Sequence, residues 1–126
     1  MKKWLKSGAP SEDKIQATFF EWVFLMQNVY PELQLMFAIP NGGTRNIREA
    51  VKLKRTGVRR GVPDIFLAVP KGKFHGLWIE TKSDKGEQTI AQIEFMAQLK
   101  NQNYYCVVCR NPVEMIEITK KYLGLL

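Results

Sequence analysis

The chain has 126 residues, 45% hydrophobic and 25% charged, with a formal net charge of +7. That is the size and balance of one globular domain with room for a buried core. No apolar run reaches membrane-span length and the N-terminus has no signal-peptide core, which excludes a membrane partner and predicts a cytoplasmic protein.

Residues 1–10 are basic and carry Gly8 and Pro10, which reads as a loose arm ahead of a single domain over 11–126. Ser11 then caps a helix, with Glu12 and Asp13 in its first turn. Ile15, Phe19, Trp22, Val23, Met26 and Val29 recur at helical spacing as its buried stripe. Glu21 falls at the edge of that stripe, either solvated or reaching round the core toward a site. Leu33 to Ile39 alternates like a strand, and Pro40-Asn41-Gly42-Gly43 breaks it. Such a break is a turn; its glycines would also let a phosphate approach the backbone, with Asn41 as donor.

Thr44 to Thr56 reads as a polar helix stopped by Gly57. From Arg45 to Arg60 there are seven cations (Arg45, Arg48, Lys52, Lys54, Arg55, Arg59 and Arg60) against a single Glu49, a local balance of +6. Nearly all the excess charge sits there. A solvated helix face accounts for it, and so does a polyanion partner, most simply nucleic acid.

Gly61 to Lys82 holds two β-rich runs, Ile65-Phe66-Leu67 and Leu77-Trp78-Ile79, joined by a Pro/Gly/Lys loop, which predicts a hairpin. Asp64 opens the first run; Glu80 and Lys82 end the second and share a face. A loop centred near Lys73 places Asp64 opposite Lys82, one pleat from Glu80. Three charges at the ends of apolar strands read as a surface ion pair or as a site for a hard divalent cation. Mg²⁺ takes one or two carboxylates and completes its shell with water and phosphate oxygens. The Thr81 main-chain carbonyl is a candidate third ligand.

Ser83 to Gly86 is a turn, and a second amphipathic helix starts near Thr89, its stripe Phe95, Met96, Leu99 extending back to Gln92. Gln92 is either an end-of-helix polar residue or a fixed hydrogen-bonding group facing the site. Tyr104 to Cys109 is a further core strand, and Asn111-Pro112-Val113-Glu114 starts a last helix that runs to Tyr122 before Gly124. Cys106 and Cys109 sit three apart on that strand and face opposite ways, and His75 is the one histidine, so zinc and redox chemistry lose support. The predicted order is α-β-α-β-β-α-β-α around one mixed β-sheet flanked by helices, an α/β fold.

Gly-Val-Pro-Asp64 followed by Glu80-Thr81-Lys82 resembles the P-D…E-x-K signature of the PD-(D/E)xK nuclease superfamily, with its restriction-endonuclease-like core. The preceding Gly61, the early helix bearing Glu21 and the trailing Gln92 resemble the VRR-NUC (virus-type replication-repair nuclease) branch, over roughly Ser11 to Tyr122. The resemblance implies a metal-dependent endodeoxyribonuclease. Asp64, Glu80 and the Thr81 carbonyl would hold Mg²⁺ or Mn²⁺, Lys82 would assist the attacking water, Gln92 would be the accessory residue and Glu21 the helical acid. It also implies a homodimer that cuts branched DNA, Holliday junctions included, inside a bacterial cell or phage host. Nucleases of this fold that prefer flaps, nicks or single strands, and a catalytically inert DNA-binding module, stay open as alternatives. The DNA contacts at Asn41, Arg45, Arg48, Lys52, Arg55, Arg59 and Arg60 are assigned from charge and position, not from the motif.

Overall fold

A computed structural model describes residues 10–41 and 46–125. The expected basic arm up to residue 9, Gly42, Gly43 and Arg45 lie outside the described residues. Helix α1 (Glu12–Met26) leads through a 3₁₀ turn (Pro31–Leu35) into strand β1 (Met36–Ala38), then α2 (Ile47–Arg55), β2 (Ile65–Leu67), β3 (Leu77–Thr81), α3 (Ile90–Asn101), β4 (Tyr105–Cys109) and α4 (Pro112–Leu123). This is the predicted order.

Local chemistry accounts for the boundaries. The side chains of Ser11, Asn46, Thr89 and Asn111 each accept a hydrogen bond from a first-turn N–H and start α1, α2, α3 and α4. Gly124, at φ +76°, closes α4 in the left-handed conformation that favours glycine. Two boundaries depart from expectation. The strand predicted from Leu33 begins only at Met36, because Pro31, preset for a helical turn, starts the 3₁₀ turn that buries Leu33. Val29, assigned to the buried stripe of α1, lies beyond the helix end and is 61% exposed.

The sheet order is β1-β2-β3-β4, antiparallel through β3 and parallel between β3 and β4, with α3 as the crossover. One face carries the core: Ile65 and Leu67 from β2 and Leu77 and Ile79 from β3 pack against Ile15, Phe19 and Val23 of α1 and Met115 of α4, all essentially solvent-free. Burial of each such side chain contributes about 1.5–3 kcal/mol. Tyr122 of α4 ties into the same face, its hydroxyl donating to Val69 O at 2.7 Å.

The hairpin register corrects the estimate. Ile65 pairs with Ile79 and Leu67 with Leu77, and one further step sets Asp64 across from Glu80 rather than Lys82. The reason lies in the loop. Lys71 and Phe74 exchange backbone hydrogen bonds (3.0 and 2.9 Å) around a tight turn with Gly72 at φ +57°. The arm from Leu67 to Lys71 is one residue longer than the arm from Phe74 to Leu77. Pro70, which has no N–H for the ladder, sits in that longer arm.

Candidate active site

β2 and β3 bring Asp64 and Glu80 to the same end of the sheet. The approach to Asp64 is set by Gly61, which has φ +86° and packs so tightly on the start of α3 that a Cβ there would lie 2.4 Å from Ala91 O. Only glycine meets both conditions. Buried Pro63 follows, and Asp64 is then gripped from three sides. Its Oδ2 accepts from the Thr81 N–H at 2.8 Å, its Oδ1 from Asn41 Nδ2 at 3.3 Å, and its backbone oxygen from the Ile39 N–H at 2.7 Å.

Glu80 is 1% exposed. Its Oε2 accepts from Gln92 Nε2 at 3.1 Å, while Oε1 is buried with no hydrogen-bond partner among the described residues. Its pKa is pushed up from 4.5 to about 9. Burial is the largest cause, because a charge out of water is costly; the neighbouring Asp64 carboxylate adds to it by favouring the protonated form and repelling the charged one; Lys82 opposes; Glu12 adds a smaller repulsion. A carboxylate pair with one buried oxygen unsatisfied is the environment that a bound cation relieves.

Gln92 does two jobs at once. Its Oε1 accepts from the Thr89 N–H at 2.8 Å and its own N–H donates to Thr89 Oγ1 at 3.2 Å, a capping box that fixes the side chain and aims the amide at Glu80. The polar start of the α3 stripe is thus part of the site. Lys82 is 7% exposed, its backbone held by Cys109 O at 2.9 Å. Among the described residues the single ion pair is Lys71–Glu32 at 3.1 Å, so the Lys82 ammonium is buried with no direct carboxylate partner there.

Thr81 lies between these two. The N–H and C=O of one strand residue point to the same flank, so its carbonyl faces Asp64 as its N–H does. No group of three His, Cys, Asp or Glu side chains converges among the described residues. The oxygens gathered there are two carboxylates and a main-chain carbonyl, which could hold a hard cation that uses one or two carboxylates. Both cysteines are held as thiols, Cys106 pushed up to about 11 and Cys109 to about 12, chiefly by burial.

Two expectations shift and two residues were missed. Glu21 and Glu12 are both exposed, and of the two acids of α1 it is Glu12 whose charge adds a repulsion at Glu80. Its Oε2 lies 3.5 Å from the position a Gly86 Cβ would take, and its charge is felt at Glu80. Glu12 and Glu21 are nine residues apart, about two and a half turns, so they point to opposite sides of the helix. Glu12 continues the Ile15–Phe19 stripe one step back, the same signal that marked Gln92 on α3. Asn41, assigned to DNA, has its amide engaged by Val62 O at 2.6 Å and Asp64 Oδ1 at 3.3 Å, so the described geometry makes it a support of Asp64. Arg110 left no signal in the sequence. Its Nη1 donates to Ser83 O (2.8 Å), Asp84 O (3.3 Å) and Gly86 O (2.6 Å), tying down the loop that follows Lys82.

Arg48, Lys52, Lys54 and Arg55 on α2, with Arg59 and Arg60 after it, are all exposed, and α2 buries no residue. The basic segment therefore stands free on the surface ahead of β2. Arg45 lies outside the described residues.

A family model described as the VRR-NUC domain matches residues 3–111. A solved structure described as a VRR_NUC domain protein superimposes with a TM-score of 0.77 at 28% sequence identity, covering 92% of this chain and 90% of that one. No curated protein matches the chain. No helix among the described residues is long and apolar enough to cross a membrane.

Proposed function

Since the chain belongs to the VRR-NUC domain family and has its nuclease-type fold, we propose that it is a divalent-cation-dependent endodeoxyribonuclease acting on branched DNA, Holliday junctions among its substrates. The observation that carries the reading is the pair Asp64 and Glu80, one fixed by three hydrogen bonds and the other buried with a free oxygen, beside buried Lys82.

Asp64, Glu80 and the Thr81 carbonyl are the residues to hold Mg²⁺ or Mn²⁺, which when bound would lower the pKa of a water and offset charge on the phosphodiester. The protein's own groups do the rest. Asn41 and the Thr81 N–H hold both oxygens of Asp64 in place, and Gln92 fixes Oε2 of Glu80 so that Oε1 is directed to the ligand. Lys82, without a carboxylate partner of its own, orients the attacking water and stabilises the negative charge that grows as the P–O bond to the leaving group breaks. Glu12 lies at the rim, where it completes the acidic set. The cations of α2 and of Arg59 and Arg60 attract the backbone of the substrate.

Branched DNA and a homodimer follow from the family resemblance; a two-fold dimer supplies two sites for paired incisions of a symmetric junction. The test is cleavage of a four-way junction, a flap, a duplex and a single strand by wild type and Lys82→Ala, each in Mg²⁺, Mn²⁺ or EDTA. Metal- and Lys82-dependent paired nicks confined to the junction are expected. Equal cutting of flaps or single strands would retain the chemistry and remove the junction preference. Tight binding with no cutting in either metal would leave a binding module.

A further inference from the structure

The two carboxylates stand at one end of a line of aromatic rings. Side chains alternate along a strand, so Asp64 shares a face with Phe66 on β2, and Glu80 shares it with Trp78 on β3. This is the face opposite the core. Leu77 and Ile79 are fully buried on the other side, whereas Phe66, Trp78 and Tyr104 are only partly buried. The rings touch: Phe66 stacks on Trp78 with centroids 4.2 Å apart and planes at 27°, and Phe37 meets Phe66 edge-on at 5.8 Å and 86°. Phe37 ends the line on edge strand β1, 46% exposed, with Leu35 beyond it at 51%.

A single exposed phenylalanine is ordinary; the position of this one is not. Phe37 lies two residues from Ile39, whose N–H donates to Asp64 O at 2.7 Å. Two strand residues span about 7 Å, a distance that the sugar-phosphate unit of one extended nucleotide covers. The basic segment is beside the same end of β1, for Leu53 of α2, Val58 and Arg59 line one cavity of ≈ 270 Å³ together with Ile39. An apolar ring face, a cationic flank and a phosphate-type site in sequence match a nucleotide chain better than they match a second protein surface, which would have to bury those cations.

We infer that Phe37, backed by the Phe66–Trp78 stack, is the platform for an unpaired nucleobase, one nucleotide from the phosphate at Asp64 and Glu80. This rests on the nuclease reading and specifies its substrate: DNA with bases outside the duplex next to the cut, as at a branch point. Every base has a π-face, so the platform selects unpaired over paired bases without reading sequence. Bases stacked inside a duplex cannot reach it.

The test uses the full chain in EDTA, where DNA stays uncut, with a branched oligonucleotide carrying 2-aminopurine at each unpaired position in turn and a fully paired duplex as control. Quenching at a single position is expected from stacking. Phe37→Ala should abolish it and weaken binding of the branched DNA about 5- to 140-fold, with duplex affinity unchanged. Phe37→Trp should keep both signals, and Phe37→Leu, which retains the apolar contact with Phe66, should fold normally yet lose the quenching. Equal loss on the duplex, or quenching that survives in Phe37→Ala, would overturn the platform. So would a change of oligomeric mass in Phe37→Ala with DNA binding intact, which would assign the ring to a contact between copies. The nuclease reading fails separately, through absence of metal-dependent cleavage by the wild type. If Phe37→Ala cuts branched DNA as the wild type does, the chemistry stands and the platform falls.

Discussion

Glu80→Gln is the substitution that separates the electrostatics of the site from its packing. The wild-type carboxyl has its pKa raised from 4.5 to about 9, first by burial and then by Asp64. Without a cation, the unfolded chain releases this proton near 4.5 while the folded chain keeps it until about 9. Unfolding therefore releases a proton across that window, and stability falls as pH rises through it, by about 1.36 kcal/mol per unit. At pH 7.5, three units above the ordinary value, the loss reaches about 4 kcal/mol. A carboxamide is nearly isosteric, can still accept from Gln92 and does not ionise, so its stability carries no such slope. It retains a desolvation penalty of about 1–3 kcal/mol for a buried amide, which leaves a net gain of roughly 1–3 kcal/mol over wild type at pH 7.5. At about 4 °C per kcal/mol for a domain of this size, Tm in EDTA should rise by roughly 4–12 °C. Thermal denaturation from pH 5 to pH 9 is the assay. Near pH 5 the Glu80→Gln protein should be the less stable of the two, the curves should cross between about pH 5 and pH 7 and diverge above that, and Mg²⁺ should raise the Tm of the wild type alone. A Glu80→Gln protein less stable than wild type at pH 8, or one with the same pH slope, would refute the reasoning.

Asp64→Ala should abolish cleavage while DNA binding, read by gel shift in EDTA, is retained or tightened, since a negative charge facing the phosphate is removed; loss of binding in step with cleavage would make Asp64 structural. Glu12→Gln should alter the metal concentration needed for cleavage, and Glu21→Gln, on the opposite side of α1, should not; the reverse pattern would restore Glu21 to the site. Neutralising Arg59 and Arg60 together should lower the slope of log affinity against log salt by about one to two units, and an unchanged slope would place the phosphate contacts elsewhere. Gly61→Ala should destabilise the fold by about 2–4 kcal/mol in urea denaturation, because its Cβ would lie 2.4 Å from Ala91 O at φ +86°; a change below 0.5 kcal/mol, within the scatter of surface substitutions, would show that the loop relaxes freely.

Much of the fold was legible because it is written in local periods. The caps at Ser11, Thr89 and Asn111, the apolar stripes of α1 and α3, and the two β-rich runs around Pro70–Lys73 depend on neighbours within a few residues, and each produced the element expected. Asp64, Glu80, Lys82 and Gln92 could be singled out on local grounds too: the first three are charges at the ends of otherwise apolar strands, and Gln92 is a polar residue where the stripe of α3 calls for an apolar one.

What the chain by itself determined, then, is the order of elements, the family signature and the identity of the polar residues at the ends of β2, β3 and α3. Only the tertiary structure decided how they meet. A turn centred between Gly72 and Lys73 rather than on Lys73, together with one residue more on one arm of the hairpin, moved the partner of Asp64 two places, from Lys82 to Glu80, a shift invisible to side-chain alternation because it preserves every face. A half-turn difference on α1 puts the charge of Glu12, and not that of Glu21, within reach of Glu80, and contacts across 21 and 23 residues engage the Asn41 amide with Val62 and Asp64. The three carbonyls gathered by Arg110 come from a loop at least 24 residues earlier. Local periodicity determines which way a side chain leaves its own backbone; which partner it meets depends on loop lengths and packing angles summed over the whole domain, and no window of sequence contains that sum.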